Sequence, residues 1–245
     1  MSKFCGCFEK FLQGTPLAAL TADRESQPIQ SPALTLRFPL ACRIALLGLA
    51  GLSATAAEPV TVVAPGATLA STFEGFLPQQ CAWSLGTWKL QDGVLRGFES
   101  GPRRHGPVTV QKLDYREADI RFEFRLVGKA AYVILPMDGS RERGHILNVV
   151  LGRKSFRIIA HPAKGQSLDL VREAIEPPQG EWQSVHVVLR AQTLTVDYAG
   201  RTWTATHPAV AEAKAGLGLG GDSGAPEGEK AGALEFRNLR VVTQP

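Results

Sequence analysis

The stretch Asp119-Ile120-Arg121-Phe122-Glu123-Phe124-Arg125-Leu126 decides the fold class. Ile120, Phe122, Phe124 and Leu126 alternate with Asp119, Arg121, Glu123 and Arg125. Successive side chains of a β-strand leave opposite faces, so a period of two predicts a half-buried strand. One face belongs to a core. The other carries a cation–anion–cation row, and the function turns on what that row meets.

Working outward, almost every segment from residue 60 reads as strand with turn residues between. Val60–Val63 is apolar and β-branched, and Ser71–Phe76 reads as an edge strand. Trp88–Leu90 and Val94–Glu99 flank Gln91-Asp92-Gly93, whose Asp-Gly pair tolerates positive φ and predicts a hairpin. Further strands are expected over 108–113, 131–135, 145–151, 155–161, 181–189, 193–198, 201–206, 217–219 and 233–242. Residues 167–176 fit either period, and His207–Lys214 suits a short helix with proline near its first turn. Gly220–Gly232 reads as a solvated loop. About a dozen short strands without βα alternation predict an all-β fold, a jelly-roll β-sandwich of antiparallel sheets.

Upstream of this domain, Arg37 and Arg43 precede the apolar run Ile44–Leu52, followed by Ser53-Ala54-Thr55-Ala56-Ala57. A basic flank, a short apolar core and an Ala-x-Ala-like end predict a signal peptide over 37–57, cleaved near Ala57. The run is shorter than the roughly 20 residues that span a bilayer. Residues 1–36 read as an irregular leader, as from a start assigned too far upstream. Residues 58–245 are expected to form one exported domain, periplasmic or extracellular, with no integral membrane segment. The whole chain carries a net charge of +4; cleavage after Ala57 removes five Lys and Arg and three Asp and Glu, leaving about +2, far from the basic excess of a nucleic-acid binder. Of four cysteines, Cys5, Cys7 and Cys42 precede the cleavage site, leaving Cys81, expected as a buried small hydrophobe with no disulfide partner.

Several of these pieces occur in an order that resembles a known family. They are Trp88…Asp92-Gly93-Val94-Leu95-Arg96-Gly97, His105-Gly106-Pro107-Val108, the stretch 119–126, and Gly144-His145-Ile146-Leu147-Asn148-Val149. Gly180-Glu181-Trp182, His207-Pro208…Lys214 and Phe236-Arg237-Asn238-Leu239-Arg240-Val241 complete the series. The order resembles the 3-keto-disaccharide hydrolase domain family, exported bacterial proteins of concanavalin-A-like fold, over roughly residues 70–243. The resemblance implies two curved antiparallel sheets with a carbohydrate ligand on the concave one. The chain departs from the family pattern where Leu135-Pro136-Met137-Asp138-Gly139 replaces an Asn-Ser-Gly motif.

Retaining glycosidases of this fold carry Glu-x-Asp-x-x-Glu on one strand, which sets two carboxylates on one face. That motif is missing: Glu123 is flanked by Arg121 and Arg125. A 3-keto sugar asks for less, because its ketone acidifies the neighbouring C–H. One base, one acid and a polarising cation then suffice for elimination and rehydration. Glu123, His145 and Arg125 are the catalytic candidates, and Arg121, Arg104, His105, Asn148 and His161 the substrate-binding ones. His186 reads as a strand residue and His207 as a helix-entry residue. Trp83, Trp88, Trp182 and Trp203 are expected mostly in the core. No cofactor is expected and no metal motif is present, although a scattered calcium site is compatible with the sequence. The alternatives to an enzyme are a non-catalytic lectin-like module and a structural cell-envelope protein.

Overall fold

The structure, a computed structural model, describes residues 73–101, 105–224 and 231–244. The strand expected at Val60–Val63, the signal peptide and Arg104 lie outside them. In chain order the strands are β1 (Trp83–Leu85), β2 (Thr87–Gln91), β3 (Val94–Phe98), β4 (Val108–Tyr115), β5 (Glu117–Gly128), β6 (Tyr132–Asp138) and β7 (His145–Gly152). There follow β8 (Ser155–Ala160), β9 (Leu168–Ala174), β10 (Gln183–Arg190), β11 (Thr193–Tyr198), β12 (Arg201–Thr206), β13 (Lys214–Asp222) and β14 (Gly232–Gln244). Two 3-10 turns, Glu74–Phe76 and Pro208–Ala211, are the described helical elements.

The strands form two seven-stranded sheets. Sheet I runs β1-β4-β13-β6-β7-β8-β9 and sheet II runs β12-β11-β10-β5-β14-β3-β2. Every described pairing is antiparallel. This is the expected jelly-roll sandwich.

The opening stretch is β5, in the middle of sheet II between β10 and β14. Ile120, Phe122, Phe124 and Leu126 are buried. They belong to the same apolar cluster as Leu147, Val149 and Leu151 of β7, across the sandwich. Each such side chain contributes about 1.5–3 kcal/mol on burial. Phe122 also packs on Phe236 of β14, and Phe124 on Tyr198 of β11, with ring centroids 6.3 and 5.7 Å apart. Aromatic contacts thus link three strands of sheet II.

The hairpin β2–β3 turns at Asp92 and Gly93, both at positive φ, as their chemistry predicts. The ambiguous segment resolves as strand β9. Two readings change. The expected edge strand at Ser71–Phe76 is a 3-10 turn where it is described. There Phe73 adopts a left-handed φ of 56° and sends its ring, like that of Phe76, into the core. Two buried rings three residues apart suit a tight helical turn better than a strand, where they would face opposite sides. The glycine-rich segment expected as a loop begins inside β13, which runs to Asp222. Cys81 is partly exposed and free, not buried. His207 caps the Pro208–Ala211 turn, its ring nitrogen accepting from Ala209 N.

Candidate functional site

On sheet II the outward residues of β5 meet outward residues of β14 and β10. A register shift in β14 between Arg237 and Arg240, with Asn238 at φ 55°, brings two consecutive side chains toward one carboxylate. Arg237 Nε donates to Glu123 Oε2 at 2.6 Å, and Asn238 Nδ2 donates to Oε1 at 3.1 Å. Both oxygens of Glu123 are therefore engaged. Arg125 donates to Glu235 Oε2 through Nε at 2.7 Å. Arg96 reaches the other oxygen of Glu235, which is buried at 5% exposure. The rings and guanidinia also stack, with Arg125 and Arg237 lying 4.8 and 4.2 Å from the Trp182 ring centroid.

Further along the same face His186 bridges Asp119 (3.0 Å) and Asp197 (3.2 Å), and Thr202 donates to Asp197 at 2.6 Å. Burial opposes ionisation of Asp119. The hydrogen bonds and charges of His186 and Arg121 outweigh it and hold the carboxyl below its ordinary range. A shallow depression of about 440 Å3 opens here, its lining including Arg121, Glu123, His186, Asp197 and Arg201.

Sheet I carries a different arrangement at one end of its outward face. Met137 is in the core, so Asp138 at the end of β6 faces outward. A register irregularity sets it opposite His145, the first residue of β7. His145 Nδ1 donates to Asp138 Oδ1 at 2.6 Å. This bond raises the pKa of His145 above the ordinary value; partial burial opposes it and the Asp138 charge adds to it. It also fixes the ring so that Nε2, which has no hydrogen-bond partner among the described residues, is the nitrogen left to react.

His161, just past β8, packs on this ring with centroids 5.7 Å apart. Its Nε2 accepts from Asn148 Nδ2 at 2.9 Å, and its Nδ1 donates to Ser167 Oγ at 2.7 Å. Burial, then the nearby charges of His145 and Arg143, push its pKa down to about 4. His161 is therefore neutral at pH 7. Asn148 is 3% exposed, and its Oδ1 has no partner among the described residues.

Arg143 holds the two histidines in place from behind. It donates to the carbonyls of His145 (2.9 Å) and His161 (2.6 Å) and pairs with Glu212 at 2.7 Å. Glu212 follows the Pro208–Ala211 turn, which buried Lys214 ties down by donating to Val210 O and Arg116 O. Burial lowers the pKa of Lys214 to about 8.

The sequence expectation is thus divided by the fold. Glu123, Arg125 and Arg121 stand outward on sheet II; His145, His161 and Asn148 stand outward on sheet I. The expected convergence of Glu123, His145 and Arg125 does not form, because the apolar core lies between the two faces. His105 does not join either group of residues. Its ring bonds Gly106 O, and the chain there packs on Gly221, at the opposite end of β13 from the Asp138 row. Arg104 lies outside the described residues. Asp138 was missed because it reads as part of a turn. Its signal was the hairpin itself, since a turn spanning 139–144 puts residue 138 opposite 145. Among the described residues no group of three or more His, Cys, Asp or Glu could hold a metal ion, and no helix is long and apolar enough to cross a membrane.

No protein-family profile matches the chain, and no curated protein matches it. Among solved structures it is similar to the CBM66 carbohydrate-binding module of Bacillus subtilis. That match has 9% identity and a TM-score of 0.48, and covers 64% of this chain and 92% of that one. It is similar to alginate lyase A1-II′ of polysaccharide lyase family 7, at 10% identity and TM-score 0.46, over 64% and 84% of the two chains. A third is the binding domain of botulinum neurotoxin serotype D, at 7% identity and TM-score 0.47, over 73% of this chain and 44% of that one. At these scores and identities the likenesses carry no functional weight.

Proposed function

We propose that the protein is an exported carbohydrate-active enzyme that cleaves a keto glycoside by acid–base chemistry on the outward face of sheet I, with His145 as the proton-transferring group. The observation that carries this reading is the Asp138–His145 pair. A histidine oriented through Nδ1, with Nε2 open, sits beside a second histidine held neutral. The resemblance of its motif order to that of the 3-keto-disaccharide hydrolase domain family supports the substrate class.

In this reading His145 Nε2 removes the proton from the ring carbon beside the ketone. The C–H electron pair moves to form an enolate on the carbonyl oxygen. The carbonyl re-forms as the bond to the glycosidic oxygen breaks, and that oxygen takes the proton back from His145. Water then adds across the unsaturated ketone, its OH to the carbon that lost the substituent and its H to the neighbouring carbon. His161 stays neutral and spares His145 a second adjacent charge. Asp138 positions the imidazole and stabilises it while protonated.

The test is turnover of a 3-keto-glucoside by purified residues 58–245, with Asp138→Asn, His145→Ala and His161→Ala. His145 must be neutral to act as base, so kcat/KM rises with pH through its raised pKa. Asp138→Asn lowers kcat and moves that limb to lower pH. Unchanged turnover in all three variants contradicts the reading. The absence of a paired-carboxylate motif favours one rival, a non-catalytic carbohydrate-binding module. It predicts sugar binding without turnover.

A further inference from the structure

The arginines of β5 and β14 differ in one respect. Arg125 bonds Glu235, Arg237 bonds Glu123, and Arg121 reaches Asp119 at 3.3 Å. Arg240 makes no hydrogen bond or ion pair among the described residues, and its Nε is enclosed without a partner. A buried donor without an acceptor is costly. Arg240 is thus the one guanidinium on these two strands whose acceptor the described chain does not supply.

The register of β14 puts it there. Arg237 pairs with Glu123, and an unshifted strand would then set Arg240 against Ile120, facing the core. The shift between Arg237 and Arg240 instead pairs Arg240 with Arg121, and Val241 takes the place opposite Ile120. Two arginines therefore stand directly opposite each other on the outward face, with Cβ atoms about 5 Å apart, where like charges repel. The row continues from Arg121 to His186, which bonds Asp197 and shares Asp119 with Arg121. Its acidic end is closed and its cationic end is unmatched. Arg121 also lines the depression of about 440 Å3, together with Ser184, Asp197, Thr202 and Asn238.

We propose that Arg121 and Arg240 form an anion site on sheet II that holds the carboxylate of a small hydroxylated acid, whose hydroxyl groups lie over the depression. Guanidinium forks match a planar carboxylate, and an anion between them replaces one repulsion by two attractions. A singly charged group fits better than a phosphate dianion. Glu123 and Asp197 also line the depression and Asp119 stands beside Arg121, so a second negative charge on the ligand meets repulsion. A sugar acid has this chemistry. The site lies on the outward face opposite that of His145 and does not depend on the acid–base reading.

The experiment is calorimetric titration of the purified protein at low salt with D-glucuronate, D-glucose and inorganic phosphate, on wild type, Arg240→Gln, Arg240→Lys and Arg172→Gln, with thermal unfolding of each. Glucuronate is expected to bind wild type and raise its unfolding midpoint. Arg240→Gln is expected to weaken that binding at least about 10-fold, without lowering the midpoint of the ligand-free protein, since it removes a like-charge pair. Arg240→Lys keeps the charge, loses the fork and recovers part of the binding. Arg172, exposed on β9 of sheet I, controls for net charge, and Arg172→Gln is expected to bind glucuronate as wild type does. Glucuronate bound no better than glucose or phosphate, binding unchanged in Arg240→Gln, or an equal loss in Arg172→Gln overturns the inference.

Discussion

The two outward faces of the sandwich differ in what their charges are doing. Sheet II is crowded with ionised groups, yet its carboxylates are closed: Glu235 between Arg96 and Arg125, Glu123 between Arg237 and Asn238, and Asp119 and Asp197 on His186. Sheet I carries fewer charges on its outward face, yet His145 keeps one ring nitrogen open beside a neutral His161. Charge density marks the face that holds itself together. An uncommitted ring nitrogen, oriented by a neighbour, marks the face to which the proposed chemistry is assigned.

The largest expected effect separates the faces by activity. His145→Ala lowers kcat on a 3-keto-glucoside by at least about 100-fold, the lower end for an acid–base residue, while Glu123→Gln leaves kcat near wild type. A reversal of these results breaks the comparison. The next effect separates them by stability. Glu235→Ala strands two guanidinia beside a buried site and costs about 2–3 kcal/mol, visible in denaturant unfolding, with activity per folded molecule unchanged.

A smaller effect on sheet I is read through pH. His161 titrates near 4 when folded and near 6.5 when unfolded. Between those values the unfolded state binds the extra proton, so stability present above about pH 6.5 falls as pH drops toward 4. His161→Gln flattens that slope. The smallest effect is on the exposed rim of sheet II. Arg121 is 55% exposed and meets Asp119 at 3.3 Å, so Arg121→Gln changes stability by less than about 0.5 kcal/mol.

The fold was legible in the sequence because strand periodicity is local. The alternation at 119–126 marks a core face without reference to any partner, and Asp92-Gly93 dictates its own turn. The strand order was not legible in the same way. Nothing within 119–126 or 144–149 says that β5 pairs with β10 and β14 while β7 pairs with β6 and β8. Glu123 and His145 were therefore grouped by chemistry and separated by topology. Asn148 and His161 did come together, because β7 and β8 are neighbours in one meander and His161 directly follows β8.

In the proposed function sheet I holds one histidine poised to exchange a proton and a second one kept neutral beside it. An NMR titration of the histidine ring signals measures this directly, without any substrate. His145 is expected to titrate above the usual 6.5 and to fall in Asp138→Asn, while His161 stays neutral until the pH approaches 4. Two histidines titrating together near 6.5, unaffected by Asp138→Asn, would contradict it.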